Sequence, residues 1–250
     1  MKTALAAALA LTLCTPALAK TMTPAQSAVA AAIADPARPQ ADRDRDAARK
    51  PGELLNYAGV KPGDTVLDFI MGGGYVTRLL AKTVGPNGHV YAYQPAEFIS
   101  FMAKYGTDQD AVAAAYPNVT AFRPSLGAFA VPKPVDVIIT VQNYHDLHLK
   151  IAPPTLAGKI DETLFAALKP GGVLLVVDHY AVAGAGLDSA QTLHRIDAAT
   201  ARAEIEKAGF VFDGEIPLYR NPGDPRTASV FDPSIRGKTD QFVYRFRKPK

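Results

Sequence analysis

The residues of this sequence best suited to acid–base chemistry are its histidines, because an imidazole titrates near neutral pH and can accept a proton from a reacting group. Four of the five histidines follow predicted strands, at the edge where open parallel sheets bind their ligands. Two of them belong to one polar run, Gln142-Asn-Tyr-His-Asp-Leu-His148, which comes directly after an apolar stretch. We therefore expect an active site at this edge. The four histidines are His145, His148, His179 and His194.

A general base needs a second group that orients it. We predict that His145 or His194 is the base and that Asp146 or Asp197 orients the imidazole. A metal site is the alternative for this region, with ligands from histidines and neighbouring carboxylates. The spacing matches no standard metal pattern, so we predict no metal site. The candidate ligands would be His145, Asp146, His148, Asp178 and His179.

A second stretch with chemical potential is the glycine triplet Gly72-Gly73-Gly74, which follows a short apolar strand and precedes a predicted helix. Glycines leave no Cβ between a ligand and the backbone, and the first turn of a helix offers free N–H groups to polar or anionic ligands. Asp68, at the strand end, can accept hydrogen bonds from a cationic amine or order the turn. The triplet therefore predicts a ligand site, the alternative being a flexible connection.

The elements that position these groups alternate between strands and helices, which is typical of an α/β protein. The chain has 250 residues, enough for one sizeable core, and a net charge of +3 is too small to suggest a nucleic-acid partner. We predict a single Rossmann-like domain with a seven-stranded, mostly parallel sheet, an antiparallel last strand and helices on both faces. The predicted strands lie near Val66 and over residues 89–94, 119–123, 135–141, 173–177, 210–219 and 241–247.

The segment from Arg220 to Asp240 is long and rich in proline, glycine, arginine and aspartate. If the sixth strand is parallel to the others and the seventh is antiparallel, this loop opens at the same edge as the glycine triplet. Loops of this length inside a domain are usually functional or disordered. We predict a lid or a wall of the acceptor site.

The pattern Asp68-x-x-x-Gly72-x-Gly74 resembles motif I of the class I S-adenosylmethionine-dependent methyltransferases. More narrowly, the chain resembles a family of predicted methyltransferases that carry secretory signals. The resemblance implies S-adenosylmethionine as cofactor and methyl transfer to an acceptor, which we expect to be a small molecule. The matching stretches are residues 66–75, 142–148, 193–197 and 231–240.

The resemblance also implies roles for single residues. The glycine turn with Asp68 would hold the cofactor, Gln94 would face the ribose hydroxyls, and Ser125 would lie near the adenine. From the position of the polar run where a strand leaves the core, beside the crevice that the glycine turn borders, we predict that Asn143 lies nearer the cofactor and that Tyr144 and His145 contact the acceptor.

Two other functions stay open. A nicotinamide-dependent oxidoreductase would use the same turn, but Gly72-x-Gly74-x-x-Thr77 is a poor dinucleotide fingerprint. The second alternative is a non-catalytic exported binding protein that has kept the fold but no longer binds the cofactor tightly. Ile70, where motif I often has its first glycine, and Gln94 and Ser125, where acidic residues are usual, favour that alternative.

The N-terminus has the pattern of a secretory signal, with Lys2, an apolar run and Ala17-Leu18-Ala19 before Lys20. We predict cleavage after Ala19, a periplasmic or secreted protein and no membrane anchor after cleavage. Residues 20–58 are predicted to be an N-terminal helical extension, and residues 59–250 the methyltransferase domain. Within the extension, Arg43 or Arg45 helps to cover the cofactor site, or else this charged stretch is simply solvated.

Overall fold

The computed structural model describes residues 21–250, in which a seven-stranded sheet separates two layers of helices. The predicted signal segment and its cleavage site lie outside the described residues. The strands are β1 (Thr65–Phe69), β2 (His89–Tyr93), β3 (Val119–Phe122), β4 (Val135–Val141), β5 (Leu168–His179), β6 (Val211–Glu215) and β7 (Gln241–Arg247). The helices are α1 (Pro24–Ile33), α2 (Gln40–Arg43), α3 (Asp46–Arg49), α4 (Pro51–Ala58), α5 (Tyr75–Val84), α6 (Ala96–Phe101), α7 (Lys104–Ala115), α8 (Leu156–Ala167), α9 (Asp188–Leu193) and α10 (Ala198–Lys207). Within this range, none of the helices combines the length and the apolar character needed to cross a membrane.

The strand order is β3-β2-β1-β4-β5-β7-β6, and β7 is antiparallel to both of its neighbours. This confirms the predicted mostly parallel sheet with an antiparallel last strand. The chain leaves β1 on one side to form β2 and returns on the other side to form β4. A crevice therefore opens beyond the carboxyl ends of β1 and β4, which is the usual ligand position in such sheets.

The core lies on both faces of the sheet because successive strand residues point to opposite sides. Val66 packs with α1, α4 and α5, whereas Leu67 packs on the other face with α8 and α10. Central strands covered on both sides must be apolar throughout, and this explains the unbroken apolar runs of the sequence. Val29 of α1 and Leu54 of α4 belong to the same core as α5, so the N-terminal helices are part of one packed unit.

Two strand boundaries differ from the prediction by more than two residues. Strand β5 begins at Leu168 rather than Val173, because a glycine turn inside it still pairs with β4 across a shifted register. Strand β6 ends at Glu215 rather than Tyr219, since its ladder with β7 is irregular at Gly214 and the chain then turns towards the crevice.

Candidate active site

The turn between β1 and α5 borders a cavity of about 270 Å³, here called the glycine cavity. Asp68, Gly72, Gly73 and Asn143 all line it. A Cβ on Gly72 would meet no atom within 4 Å, and one on Gly73 would meet only Asp108 Oδ2 at 3.7 Å. The backbone at these two glycines is therefore open for a ligand to approach.

Three alternate residues of this turn have a left-handed backbone, with φ of 64° at Ile70, 55° at Gly72 and 80° at Gly74. Glycine adopts this conformation freely, but a β-branched residue does so only under strain of about 1–3 kcal/mol. Ile70 therefore keeps the backbone shape of a motif I glycine despite its side chain.

The role predicted for Gly74 needs correction. This glycine does not line the glycine cavity, and a Cβ there would lie 2.7 Å from Val112 Cγ2 of α7. Its missing side chain lets α7 pack against the start of α5. Gly74 is therefore needed for the packing of the turn, and the backbone that a ligand can contact belongs to Gly72 and Gly73.

Asp68 is buried at the floor of the glycine cavity, where the Thr77 hydroxyl donates to its Oδ2 at 2.6 Å. Burial raises the pKa of Asp68 to about 7, although this hydrogen bond acts in the opposite direction. The carboxyl therefore changes charge near neutral pH, which makes it sensitive to a cationic ligand.

Gln94 and Ser125 were predicted to face the cofactor, but neither residue lines the glycine cavity. Gln94 is 0% exposed, and its Oε1 accepts a hydrogen bond from the Gly72 amide at 2.9 Å. Its Nε2 is buried without a partner among the described residues, so one donor is left beside the turn. Ser125 is half-buried and precedes the 3-10 turn Leu126–Ala128, and the Leu126 amide donates to Glu97.

The polar run after β4 forms a 3-10 turn, His145–His148, that sends its side chains to two sides. His145, Asp146 and His194 come together at the crevice, and one ligand atom from each lies within 4.8 Å of the others. Asp146 Oδ1 lies 3.4 Å from His145 Nε2 and 4.0 Å from His194 Nδ1. His194 has a φ of 53°, a strained conformation that aims its imidazole at this group.

The residue that orients His145 is Asp178, not Asp146 or Asp197. Asp178 Oδ1 lies 2.8 Å from His145 Nδ1, and its Oδ2 accepts from the His145 amide at 2.8 Å. Burial alone would lower the pKa of His145, but the carboxylate of Asp178 outweighs it and the pKa is raised. Asp197 instead caps α10, accepting a hydrogen bond from the Ala199 amide.

Tyr144 and His148 point away from the crevice, which corrects the acceptor contact predicted for Tyr144. Tyr144 is 2% exposed, and its hydroxyl donates to Asp161 at 2.8 Å and to Glu204 at 3.2 Å. His148 Nε2 lies 3.0 Å from the same Glu204 carboxylate. Burial raises the pKa of Asp161 to about 8, so this is a second buried polar cluster behind the site.

Two further cavities continue the glycine cavity along the rim. The histidine cavity, about 530 Å³, is lined by His145, Asp146 and His194 together with apolar side chains that include Phe231. The arginine cavity, about 510 Å³, is lined by Arg45 and Arg49. Gln142 lines all three cavities, and we call the whole space the rim crevice.

The N-terminal helices supply arginines to the rim crevice, and the sequence analysis predicted only one of them. Arg45 lines the rim crevice as predicted for one of the two alternatives, whereas Arg43 bonds to Gln40 and the Pro36 carbonyl. Arg49 was missed, and its guanidinium lies 5.0 Å from the ring centre of Tyr75. Within residues 21–250 Arg49 has no carboxylate ion-pair partner, and burial lowers its pKa.

The loop predicted as a lid or acceptor wall does border the crevice, through Val230 and Phe231. It is held by Arg195, which is fully buried and binds Asp224 through both nitrogens at 2.8 and 3.0 Å. Asp224 in turn accepts from the Asp240 amide at 2.6 Å. These bonds fix the loop at both ends, so it forms a wall.

The residues at the glycine cavity fit S-adenosylmethionine. The open backbone at Gly72 and Gly73 leaves room for a ligand, and the buried carboxyl of Asp68 suits a cationic amine. Arg49 lines the same cavity and has no carboxylate ion-pair partner within residues 21–250, so its guanidinium can bind a carboxylate.

No known protein-family profile matches the chain. A protein-L-isoaspartate O-methyltransferase from Methanosarcina mazei is 30% identical over 126 residues, which are 50% of this chain and 43% of that protein. A ubiquinone/menaquinone biosynthesis C-methyltransferase from Hydrogenovibrio crunogenus is 27% identical over 124 residues, 50% of this chain and 45% of the other. The chain thus spans about half the length of the curated relatives that it matches.

Solved structures match over most of the chain. A methyltransferase dependent on S-adenosylmethionine from Aquifex aeolicus has a TM-score of 0.56 and 20% identity, covering 89% of this chain and 97% of that one. A TehB-like methyltransferase from Corynebacterium glutamicum has a TM-score of 0.53 and 14% identity, covering 84% and 95%. With the strand order and the glycine turn, these matches show that the chain has the fold of the class I S-adenosylmethionine-dependent methyltransferases.

Proposed function

We propose that the protein is an S-adenosylmethionine-dependent methyltransferase that acts on a small molecule. The observation that carries this proposal is the continuity of the rim crevice. The glycine cavity shares Gln142 and Asn143 with the histidine cavity, so a cofactor and an acceptor would meet where β4 ends.

S-adenosylmethionine supplies a methyl group on a sulfonium, and its transfer is an in-line displacement in which alignment of the reactants contributes much of the rate. In the glycine cavity, Gly72 and Gly73 offer backbone against which the cofactor can lie. The ionised Asp68 carboxyl would attract its ammonium group. Arg49 would bind its carboxylate, since this guanidinium has no carboxylate partner of its own among the described residues.

At the acceptor end, the group His145, Asp146 and His194 would act on the nucleophile of the acceptor. Asp178 holds the His145 ring through Nδ1, so Nε2 is directed towards Asp146 and the cavity. The Asn143 amide fixes Asp146 by donating to its Oδ2 at 3.1 Å. An acceptor with an apolar body is favoured, because the remaining wall of the histidine cavity includes Phe98, Leu149 and Phe231.

A small acceptor is supported by the size of this end of the crevice. The wall that carries Val230 and Phe231 is anchored through Arg195 and Asp224, which leaves a cavity of about 530 Å³. Cavities of this size are typical of small-molecule sites.

We also propose that the protein is exported and that its mature form begins at Lys20. The support is the signal-like pattern of residues 1–19. Periplasmic protein with an intact mass beginning at Lys20 is expected, and a cell-associated mass beginning at Met1 would contradict export.

The test of the main proposal is titration calorimetry of the purified protein with S-adenosylmethionine, S-adenosylhomocysteine and NAD. We expect saturable one-to-one binding of the first two ligands and none of NAD. Binding of NAD alone would indicate an oxidoreductase. Binding of none of the three would indicate a binding protein that has kept the fold without the cofactor.

A further inference from the structure

The group at the acceptor end has a geometry that acid–base catalysis does not require. Two imidazoles and one carboxylate converge from separate segments: His145 and Asp146 follow β4, and His194 follows α9. A single base with one orienting carboxylate would need only His145 and Asp178. The third and fourth groups call for a separate explanation.

The spacing of the converging atoms suits a metal ion. Metal bonds of about 2.0–2.2 Å to nitrogen and oxygen place tetrahedral ligands about 3.4 Å apart. Asp146 Oδ1 lies 3.4 Å from His145 Nε2 and 4.0 Å from His194 Nδ1. Small side-chain movements would therefore bring all three atoms onto one ion.

Two further side chains hold these ligand groups in place through hydrogen bonds, as the side chains around a bound metal ion usually do. A metal-bound histidine commonly donates its other ring N–H to a carboxylate, which fixes the ring and its tautomer. His145 Nδ1 lies 2.8 Å from Asp178 Oδ1, and this leaves Nε2 facing the cavity. The Asn143 amide holds Asp146 through Oδ2 and leaves Oδ1 facing both imidazoles.

The local charge favours a cation. Asp146 and Asp178 are both largely enclosed, and within residues 21–250 neither forms an ion pair with a lysine or an arginine. Without a proton on His145, the ionised Asp146 and Asp178 carry two negative charges that no lysine or arginine among the described residues balances. A divalent cation balances them, and burying a charge without such a partner is costly.

We propose that His145, Asp146 and His194 bind a divalent transition-metal ion, with Asp178 as the outer partner of His145. Imidazole ligands favour zinc, copper, iron or nickel over magnesium and calcium, which prefer oxygen ligands. Three protein ligands leave a position open towards the histidine cavity. That position would take an oxygen donor of the acceptor, such as a hydroxyl on an apolar body; this last step rests on the proposed function.

The test uses the purified, untagged protein, treated with a chelator and titrated with Zn²⁺ and, separately, with Mg²⁺. We expect one Zn²⁺ per chain, bound far more tightly than Mg²⁺. His194→Ala and Asp146→Asn should each weaken Zn²⁺ binding at least tenfold, about 1.4 kcal/mol. Asp178→Asn should weaken it by about 10–100-fold through the His145 ring.

The matched control is His89→Ala, because His89 lies at the other end of the sheet and bonds to Thr120. It should leave Zn²⁺ affinity unchanged. The site would be overturned by an absence of saturable Zn²⁺ binding. Equal affinity in His194→Ala and wild type, with both melting cooperatively, would also overturn it. Cofactor affinity measured after chelation decides the methyltransferase proposal separately, since the glycine cavity contains none of the three ligands.

Discussion

The two ends of the rim crevice are built in opposite ways. The glycine end comes mainly from one continuous stretch, in which β1, a turn and α5 follow one another from Thr65 to Val84. The histidine end is assembled from the turn after β4, the end of β5 and the residue after α9. A site made from one stretch depends on local backbone shape, whereas a site made from three depends on the packing of the whole domain. Substitutions at the two ends should therefore affect different measurements.

The largest effect is expected at the histidine end. His145→Ala should lower turnover by about 10² or more, the scale for loss of a group that acts directly on a reacting proton. Affinity for S-adenosylmethionine should stay within a few-fold, because His145 lines the histidine cavity and not the glycine cavity. Turnover would be measured as release of S-adenosylhomocysteine after a screen of small phenols, amines and carboxylates for the acceptor.

Two further variants serve as controls for this result. His194→Ala, at a half-exposed position, tests the same group without removing the partner of the buried Asp178. His89→Ala should behave as wild type. Full turnover in both the His145 and His194 variants would show that positioning alone supports the reaction, and loss of cofactor binding in His145→Ala would show that the two ends are not separate.

At the glycine end the sharpest change is Gly73→Leu. The added side chain projects into the glycine cavity, where Gly73 has a permissive backbone and no close neighbour. We expect cofactor affinity to fall at least tenfold, about 1.4 kcal/mol, with little change in melting temperature. Gly127→Leu is the matched control, because a Cβ at Gly127 also meets open space but lies in the turn after Ser125. Unchanged affinity in Gly73→Leu would mean that the ligand binds elsewhere.

A smaller effect should follow pH. Because the pKa of Asp68 is raised to about 7, this carboxyl is mostly neutral at pH 6 and mostly ionised at pH 8. A cationic ligand favours the ionised form, so affinity for S-adenosylmethionine should rise with pH by up to about tenfold over this range. Calorimetry of Asp68→Asn at both pH values supplies the comparison. An equal pH dependence in that variant would remove Asp68 from the cofactor site.

The sequence predicted the strands and helices better than the side chains that face the crevice, for a physical reason. The strand Val135–Val141 and the order of the elements follow from apolar runs and turn residues, and both are confirmed. Whether Tyr144 or His145 faces the crevice depends on the rotation of a single 3-10 turn, which residue types do not encode. The pairing of Asp178 with His145 joins the ends of two neighbouring strands, so it became visible only with the register of the sheet.

The same limit explains the misassignment of Gly74. A glycine can be required for ligand approach or for close packing, and the residue type alone does not distinguish these two requirements. Only the position of Val112 on α7 separates them. Arg49 lies in a charged segment without an apolar stripe. Its position beside Tyr75 depends on tertiary packing, which the sequence does not show.

The Tyr219 hydroxyl donates to the backbone carbonyl of Arg49, and Lys50 Nζ donates to the Leu218 carbonyl at 3.0 Å. The arginine cavity, which both Arg49 and Tyr219 line, is thus closed by contacts between parts of the chain about 170 residues apart. Contacts of such long range form late, after the loop between them has been closed. A chain that is still being synthesised lacks this closure. Closure of the arginine cavity therefore reports that the whole domain has finished folding, and a ligand bound there would oppose unfolding from either terminus.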